Sequence, residues 1–85
     1  MSTCFKFRFT KGQRIPLDGL GSSELLEDRV ASLKDISGIK RHPASNEDGQ
    51  RVIVIRCTES QDVLAFKLRF NGLDDFYKEI PCHTT

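Results

Sequence analysis

Three cysteines and two histidines are the residues of this chain whose side chains could bind a metal ion or form disulfides. Cys4, Cys57 and Cys82 are widely and irregularly spaced, whereas a structural zinc site is usually built on closely paired ligands such as C-x-x-C. The nearest approach to a metal cluster is Cys82-His83 together with His42. An odd number of cysteines at this spacing also does not read as a disulfide framework. The sequence therefore predicts no metal, no cofactor and reduced, partly buried cysteines, which is typical of a cytoplasmic or nuclear protein.

The sequence contains none of the motifs that carry catalysis or nucleotide binding. A Ser/His/Asp set, a G-x-x-x-x-G-K-[ST] loop and a G-x-G-x-x-G turn are all missing. The 13 Lys and Arg residues are balanced by 12 Asp and Glu residues, whereas a dedicated DNA-binding domain is usually far more basic. We therefore expect a non-enzymatic interaction module whose partner is a protein rather than a nucleic acid.

Six cationic side chains are the candidate binding residues, because they could hold the carboxylates of an acidic protein or peptide. Lys6 and Arg8 lie in one amphipathic segment, and Lys67 and Arg69 lie in a second segment of similar sequence. If the two segments are strands that lie close together in the sheet or barrel, these four cations form one stripe on its outer face. The stripe is widened by Lys11 and Arg14.

Alternating apolar and charged residues predict the strands that would position these cations. The segment F-K-F-R-F at 5–9 is typical of a half-buried strand with its Phe side chains in the core. Residues 51–57 include four consecutive β-branched residues and predict a central strand buried on both faces. Residues 63–70 alternate again and predict a third strand, which forms a hairpin with 51–57 and carries Lys67 and Arg69 on its outer face.

The remaining segments predict a short edge strand, an ambiguous stretch, a loop and a helix. Residues 14–17 read as the edge strand, because their proline cannot donate a hydrogen bond to a neighbouring strand. Residues 22–37 fit a helix by the spacing of their apolar residues, and they also fit a bent β segment. Residues 42–50 predict an exposed loop rich in turn formers, and residues 71–80 predict a helix ended by a proline.

The order of these segments resembles the pleckstrin-homology-like superfold over residues 29–80. V-A-S-L-K-D-I-S-G-I-K-R-H-P-A-S resembles its middle strand and polar loop, R-V-I-V-I-R-C and V-L-A-F-K-L-R-F its last hairpin, and N-G-L-D-D-F-Y-K-E-I its C-terminal helix. Within the superfold, the pattern is similar to the N-terminal domain of the large core subunit of the transcription and repair factor TFIIH. The resemblance implies an α+β fold, a small antiparallel β-roll or barrel closed by a C-terminal helix.

A second resemblance, to the ubiquitin-like β-grasp, implies the alternative order ββαββα. F-K-F-R-F-T-K-G-Q-R-I-P-L resembles the first hairpin of that fold, and S-S-E-L-L-E-D-R-V-A-S-L-K resembles its helix. The chain lacks the terminal Gly-Gly of a conjugated modifier. This resemblance therefore implies a ubiquitin-like interaction domain.

Length and resemblance together give the expected function. At 85 residues the chain is expected to be a single small interaction domain, 1–85, or a small assembly subunit. We expect it to dock an acidic protein or peptide segment, in line with a place in transcription or DNA repair machinery. The other alternative is a phosphoinositide-binding membrane adaptor of the pleckstrin-homology type. Only Lys11 and Arg14 would serve the headgroup in that case, which is weak for a polyphosphate.

Overall fold

A computed structural model of the protein describes residues 2–17 and 21–82. The strands are β1 (Thr3–Thr10), β2 (Arg14–Pro16), β3 (Ser23–Leu25), β4 (Ile39–Arg41), β5 (Ser45–Glu47), β6 (Gln50–Cys57) and β7 (Tyr77–Ile80). The α-helices are α1 (Leu26–Ala31) and α2 (Ser60–Arg69). Two 3-10 turns follow them, at Ser32–Asp35 and Asp74–Phe76.

The main sheet is antiparallel and has the strand order β4-β6-β1-β7, with β5 also paired to β6. The two short strands β2 and β3 form a separate ribbon. Along the chain, the main elements follow the β-α-β-β-α-β order of a split βαβ unit. The predicted α+β class is therefore confirmed, while the described residues form no closed barrel.

The alternation of β1 decides which face of the sheet is buried. Phe5, Phe7 and Phe9 are each at most 3% exposed, as the F-K-F-R-F pattern predicts. Phe5 pairs with Ile55 and Phe7 with Ile53 on β6, so both central strands send apolar side chains to the same face. The strand predicted at 51–57 and its central position are confirmed.

The strand predicted over 63–70 is wrong, and so is its hairpin with 51–57, because these residues form α2. Helical spacing places Phe66 and Phe70 on one side of α2, where Phe66 stacks on Phe5 with ring centroids 4.3 Å apart. Phe70 packs against Phe7 at 5.0 Å. A strand would send Leu64 and Leu68 to the core beside these rings, whereas the helix leaves them 63% and 73% exposed.

A capping box begins α2 between β6 and the segment predicted as the third strand. The Glu59 side chain accepts a backbone N–H of the first turn, and the Glu59 N–H donates to Asp62 Oδ2 at 3.0 Å. Two orphan donors of the helix N-terminus are thereby satisfied. The Asp62 carboxylate lies directly against Gly38, where a Cβ atom would collide with it.

The helix predicted over 71–80 is also wrong. Gly72 has φ +81°, a conformation that favours glycine, and turns the chain after α2. Residues Tyr77–Ile80 then form β7, which pairs antiparallel with β1 from Cys4 to Phe7. β7 therefore supplies hydrogen-bond partners for the backbone N–H and C=O groups on that edge of β1. A helix at the same place would leave those groups of β1 unpaired.

Residues 22–37 and 42–50, which the sequence left ambiguous or predicted as a loop, contain short strands and a short helix. Within 22–37, β3 is followed by α1, whose Leu26 and Val30 are fully buried, so the helical interpretation is confirmed for the middle of the segment. The predicted loop 42–50 instead contains β5 and a tight turn into β6. Asp48 and Gly49 have φ of 52° and 79°, which matches the Asp-Gly preference of two-residue hairpin turns.

Candidate functional site

The face of the main sheet opposite the phenylalanines is the candidate site, and we call it the open face. The helices contribute to the core on the Phe side, through residues such as Val30 and Phe66. In an antiparallel ladder, directly paired residues point to the same face. The open face therefore includes alternate residues of β1 and the residues paired with them: Cys4, Lys6, Arg8, Lys40, Val52, Val54, Arg56, Lys78 and Ile80, of which Cys4 and Val52 are buried.

Cations dominate this set. Lys6 on β1 lies directly opposite Lys78 on β7, and Arg56 on β6 lies directly opposite Lys40 on β4. Like charges placed directly opposite each other on neighbouring strands destabilise a sheet. Together with Arg8, the open face carries five cations. Two pairs of them repel each other in the absence of an anion.

Two carboxylates of the chain lie near these cations: Glu47, and Asp75, which lines a hollow of about 180 Å³ together with Lys6, Arg8 and Lys78. Glu47 Oε2 lies 3.1 Å from Arg8 Nη2 and 3.9 Å from Lys6 Nζ. These three side chains are between 35% and 47% exposed, so the contacts are weakened by water and contribute about 0–1 kcal/mol. Across the described part of the chain, no acidic side chain lies within 4 Å of Lys40, Arg56 or Lys78.

The structure keeps two of the six predicted site residues together. Lys6 and Arg8 share the open face, as predicted, and both contact Glu47. Lys67 and Arg69 lie on α2, on the other side of the sheet, because the strand expected there is a helix. The predicted four-cation stripe is therefore not formed.

The other predicted residues have local partners or lie in a turn. Arg69 Nη1 donates to Ser32 Oγ at 2.9 Å, joining α2 to the end of α1. Arg14 Nε donates to Ser23 Oγ at 2.8 Å, within the β2–β3 ribbon. Lys11 is exposed in the turn that follows β1.

Lys40, Arg56 and Lys78 were not among the residues predicted from the sequence. Arg56 could have been predicted to lie on this face, because it is two residues from Val54 in the same strand and alternate strand residues point to the same side. Lys78 was hidden because residues 71–80 were read as a helix, and a helix assigns its side chains to different faces. Lys40 lies in a three-residue strand, for which no alternation could be read.

Two adjoining hollows mark the open face. The first has a volume of about 400 Å³ and is lined by Lys6, Arg8, Lys78 and Ile80. The second, of about 210 Å³, is lined by Cys4, His42, Val54, Arg56, Ile80 and Pro81. Ile80 is common to both, so a cationic hollow and a largely apolar one are contiguous.

A disulfide joins Cys4 on β1 to Cys82, two residues beyond β7, with their Cα atoms 5.4 Å apart. The expectation that these two cysteines are reduced is therefore wrong, and the cytoplasmic or nuclear location inferred from it stays a prediction. Cys57 is a free, fully buried thiol. Burial, and secondarily the negative charge of Asp62, raises the pKa of Cys57 to about 11. The thiol is therefore protonated and unreactive at neutral pH.

The described residues contain no group of three or more His, Cys, Asp or Glu side chains that could hold a metal ion. His83, which belongs to the cluster considered from the sequence, lies outside the described residues. Within residues 2–17 and 21–82, no helix is both long enough and apolar enough to cross a membrane. Comparison with protein-family models, with curated proteins and with solved structures finds no match to this chain.

Proposed function

We propose that the protein is a non-enzymatic binding module whose open face docks an acidic segment of a protein partner. The observation that carries the proposal is the density of cations on a sheet face that the helices leave uncovered. Lys6 opposite Lys78, and Arg56 opposite Lys40, cost stability in the free protein. A ligand that brings carboxylates to these pairs relieves the repulsion and forms charge-assisted hydrogen bonds.

Glu47 supports this assignment by showing how a carboxylate sits on the open face. Its side chain reaches over β6 to Arg8 and Lys6 on β1. Since the contact is solvent-exposed and weak, a ligand carboxylate can displace it at little cost. Glu47 thus acts as an internal competitor for the same cations.

An acidic protein segment fits the open face better than a nucleic acid does. Single-stranded nucleic acids are held by aromatic rings that stack on bases, with cations between the rings. The rings of Phe5, Phe7 and Phe9 point into the core, so the outward side of β1 carries the cations Lys6 and Arg8 without an aromatic ring. The net charge of +1 is also low for a domain that binds phosphate backbones.

The family resemblances bear on the setting of this activity and remain proposals. A place in transcription or DNA repair machinery follows from the pleckstrin-homology-like resemblance, and a ubiquitin-like interaction domain is the alternative. The hairpin strand and closing helix on which the first resemblance rests are replaced by α2 and β7. The proposed function therefore rests on the cations of the open face. Phosphoinositide binding, the other alternative, would appear in the test as binding to vesicles.

The test measures fluorescence anisotropy of a labelled synthetic peptide of alternating Glu and Ser. We expect the protein to bind it at low ionic strength and more weakly at physiological ionic strength, where charges are screened. Lys6→Glu should weaken binding, whereas Lys67→Glu, an identical charge change on the other side of the sheet, should not. Folding should be little affected in either variant, because both positions are on the surface.

Three results would count against the proposal. The first is no binding of the acidic peptide at low salt. The second is an equal loss in both variants, which would mean that net charge alone is sensed. The third is tighter binding of a single-stranded oligonucleotide or of phosphoinositide-containing vesicles than of the peptide, which would assign the cations to phosphate.

A further inference from the structure

The smaller hollow of the open face is built to hold an apolar side chain. Most of its exposed lining is apolar and comes from Val54, Ile80, Pro81 and the Cys4 end of the disulfide, while His42 and Arg56 complete it. Its volume of about 210 Å³ has room for one side chain, and the adjoining hollow of about 400 Å³ leaves space for the neighbouring residues of a longer ligand. The hollow therefore suits one aliphatic side chain of a longer ligand.

The walls of this hollow are rigid for identifiable reasons. Val54 belongs to β6, which is paired on both sides. Ile80 is paired with Cys4 at the last position of the β1–β7 ladder. Pro81 lies between that pair and Cys82, whose disulfide returns to Cys4. A preformed hollow of this kind gains affinity because little order is lost on binding.

Arg56 and the cationic hollow give the apolar hollow a charged surround. Arg56 lines its rim, and Ile80 separates it from the hollow formed by Lys6, Arg8 and Lys78. A ligand side chain seated on Ile80 thus has cations on two sides. Its neighbours in the ligand chain are expected to be acidic.

The sheet also sets the spacing between the anchor and the acidic residues. Across the sheet, the row of Arg56, Cys4 and Ile80 is followed two residues later along β1 by the row of Val54, Lys6 and Lys78, and then by the row of Val52 and Arg8. Each step along the strand direction is about 6.8 Å, two residues of about 3.4 Å. An extended ligand lying along β1 repeats its sheet-facing side chains at the same interval.

We propose that the open face recognises an extended segment in which one aliphatic residue is separated by single residues from two acidic ones. The aliphatic residue occupies the hollow over Cys4 and Ile80, where it also touches Val54 of the next row. The acidic residues lie over the Lys6–Lys78 pair and over Arg8, where they displace Glu47. This motif, aliphatic-x-acidic-x-acidic in either chain direction, rests on the proposed function and specifies its ligand.

A second copy of this chain is not the occupant of the open face. Two copies related by a two-fold axis would place the same cations against each other, since an isologous contact pairs a surface with itself. Like-charge contact of that kind opposes association. Charge complementarity therefore selects an acidic partner.

The experiment compares labelled peptides that differ only at the anchor, Leu-Ser-Glu-Ser-Glu and Ser-Ser-Glu-Ser-Glu, each also made in reversed order. We expect one Leu peptide to bind about tenfold more tightly than its Ser counterpart, from burial of much of one aliphatic side chain. A Leu-Glu-Ser-Ser-Glu peptide of the same composition should lose most of that gain.

Val54→Phe fills the hollow and should remove the tenfold gain while binding of the Ser peptide is unchanged. Leu64→Phe, on the exposed side of α2, is the matched control and should leave the gain intact. If Val54→Phe does not fold, the comparison of peptides on the unaltered protein decides the question by itself.

The outcomes separate this inference from the proposed function. Equal affinity of the Leu and Ser peptides, both sensitive to Lys6→Glu, would overturn the anchor and keep the acidic docking surface. Absence of binding by every acidic peptide would overturn both. Tight binding of the scrambled peptide would overturn the two-residue spacing.

Discussion

Removing the Cys4–Cys82 disulfide is expected to cost a large part of the stability of this domain. The bond joins residues 78 apart in sequence, so it constrains nearly the whole chain in the unfolded state. In the chain-entropy description, a loop of that length stabilises the folded state by roughly 4.5 kcal/mol. A domain of 85 residues has about 4–13 kcal/mol in total, so the loss is at least about a third.

The assay is urea unfolding followed by circular dichroism, on the oxidised protein and on the double variant Cys4→Ser/Cys82→Ser. We expect the free energy of unfolding of the variant to be lower by roughly 4.5 kcal/mol. In thermal unfolding this corresponds to a midpoint at least about 18 °C lower, since 1 kcal/mol corresponds to roughly 4–8 °C in a domain of this size. A thiol reductant should lower the stability of the unaltered protein and leave the variant unchanged, which is the internal control. A variant within about 1 kcal/mol of the oxidised protein would refute the reasoning.

Three further predictions follow from the core, the buried thiol and the internal carboxylate. Phe66→Ala should cost about 3–5 kcal/mol in urea unfolding, because it removes the ring that stacks on Phe5, and a loss below about 1 kcal/mol would contradict that packing. Because the pKa of Cys57 is raised from 9.0 to about 11 in the folded protein, the free energy of unfolding should fall by roughly 3 kcal/mol as the pH rises from 9 to 11. Cys57→Ala should lack this fall, so the difference in unfolding free energy between the two proteins should change with pH. Parallel pH profiles of the two proteins would contradict the prediction. Glu47→Gln should tighten binding of the Glu/Ser peptide up to about fivefold by removing the internal competitor, whereas weaker binding would show that Glu47 organises the site.

The sequence predicted an element correctly where the spacing of its apolar residues fits only a strand or only a helix. The alternation around Lys6 and Arg8 predicted β1, its buried phenylalanines and its outward cations. Residues 63–70 fit two periodicities, because their phenylalanines are four residues apart as well as on one side of a strand. The packing of Phe66 and Phe70 on the phenylalanines of β1 favours the helix. This is a tertiary contact, and the local helix or strand propensity of the segment does not predict it.

The open face was predicted only in part, because it is assembled from strands far apart in the chain. Lys78 reaches Lys6 only because β7 pairs with the edge of β1, and the spacing of apolar residues in that segment had favoured a helix. The disulfide depends on the same pairing, which brings Cys82 beside Cys4. Cysteine spacing alone could not show that contact. The hairpin turn at Asp48-Gly49 and the capping box at Glu59, by contrast, were readable local signals.

The most direct test of the open face as an acidic docking surface is a titration of the isotopically labelled protein with the Glu/Ser peptide, followed by amide chemical shifts. The proposal predicts saturable changes centred on Lys6, Arg8 and Lys78, extending to Arg56 on β6, while the amides of α2 stay unchanged. Changes centred on α2, or no changes at low ionic strength, would contradict it.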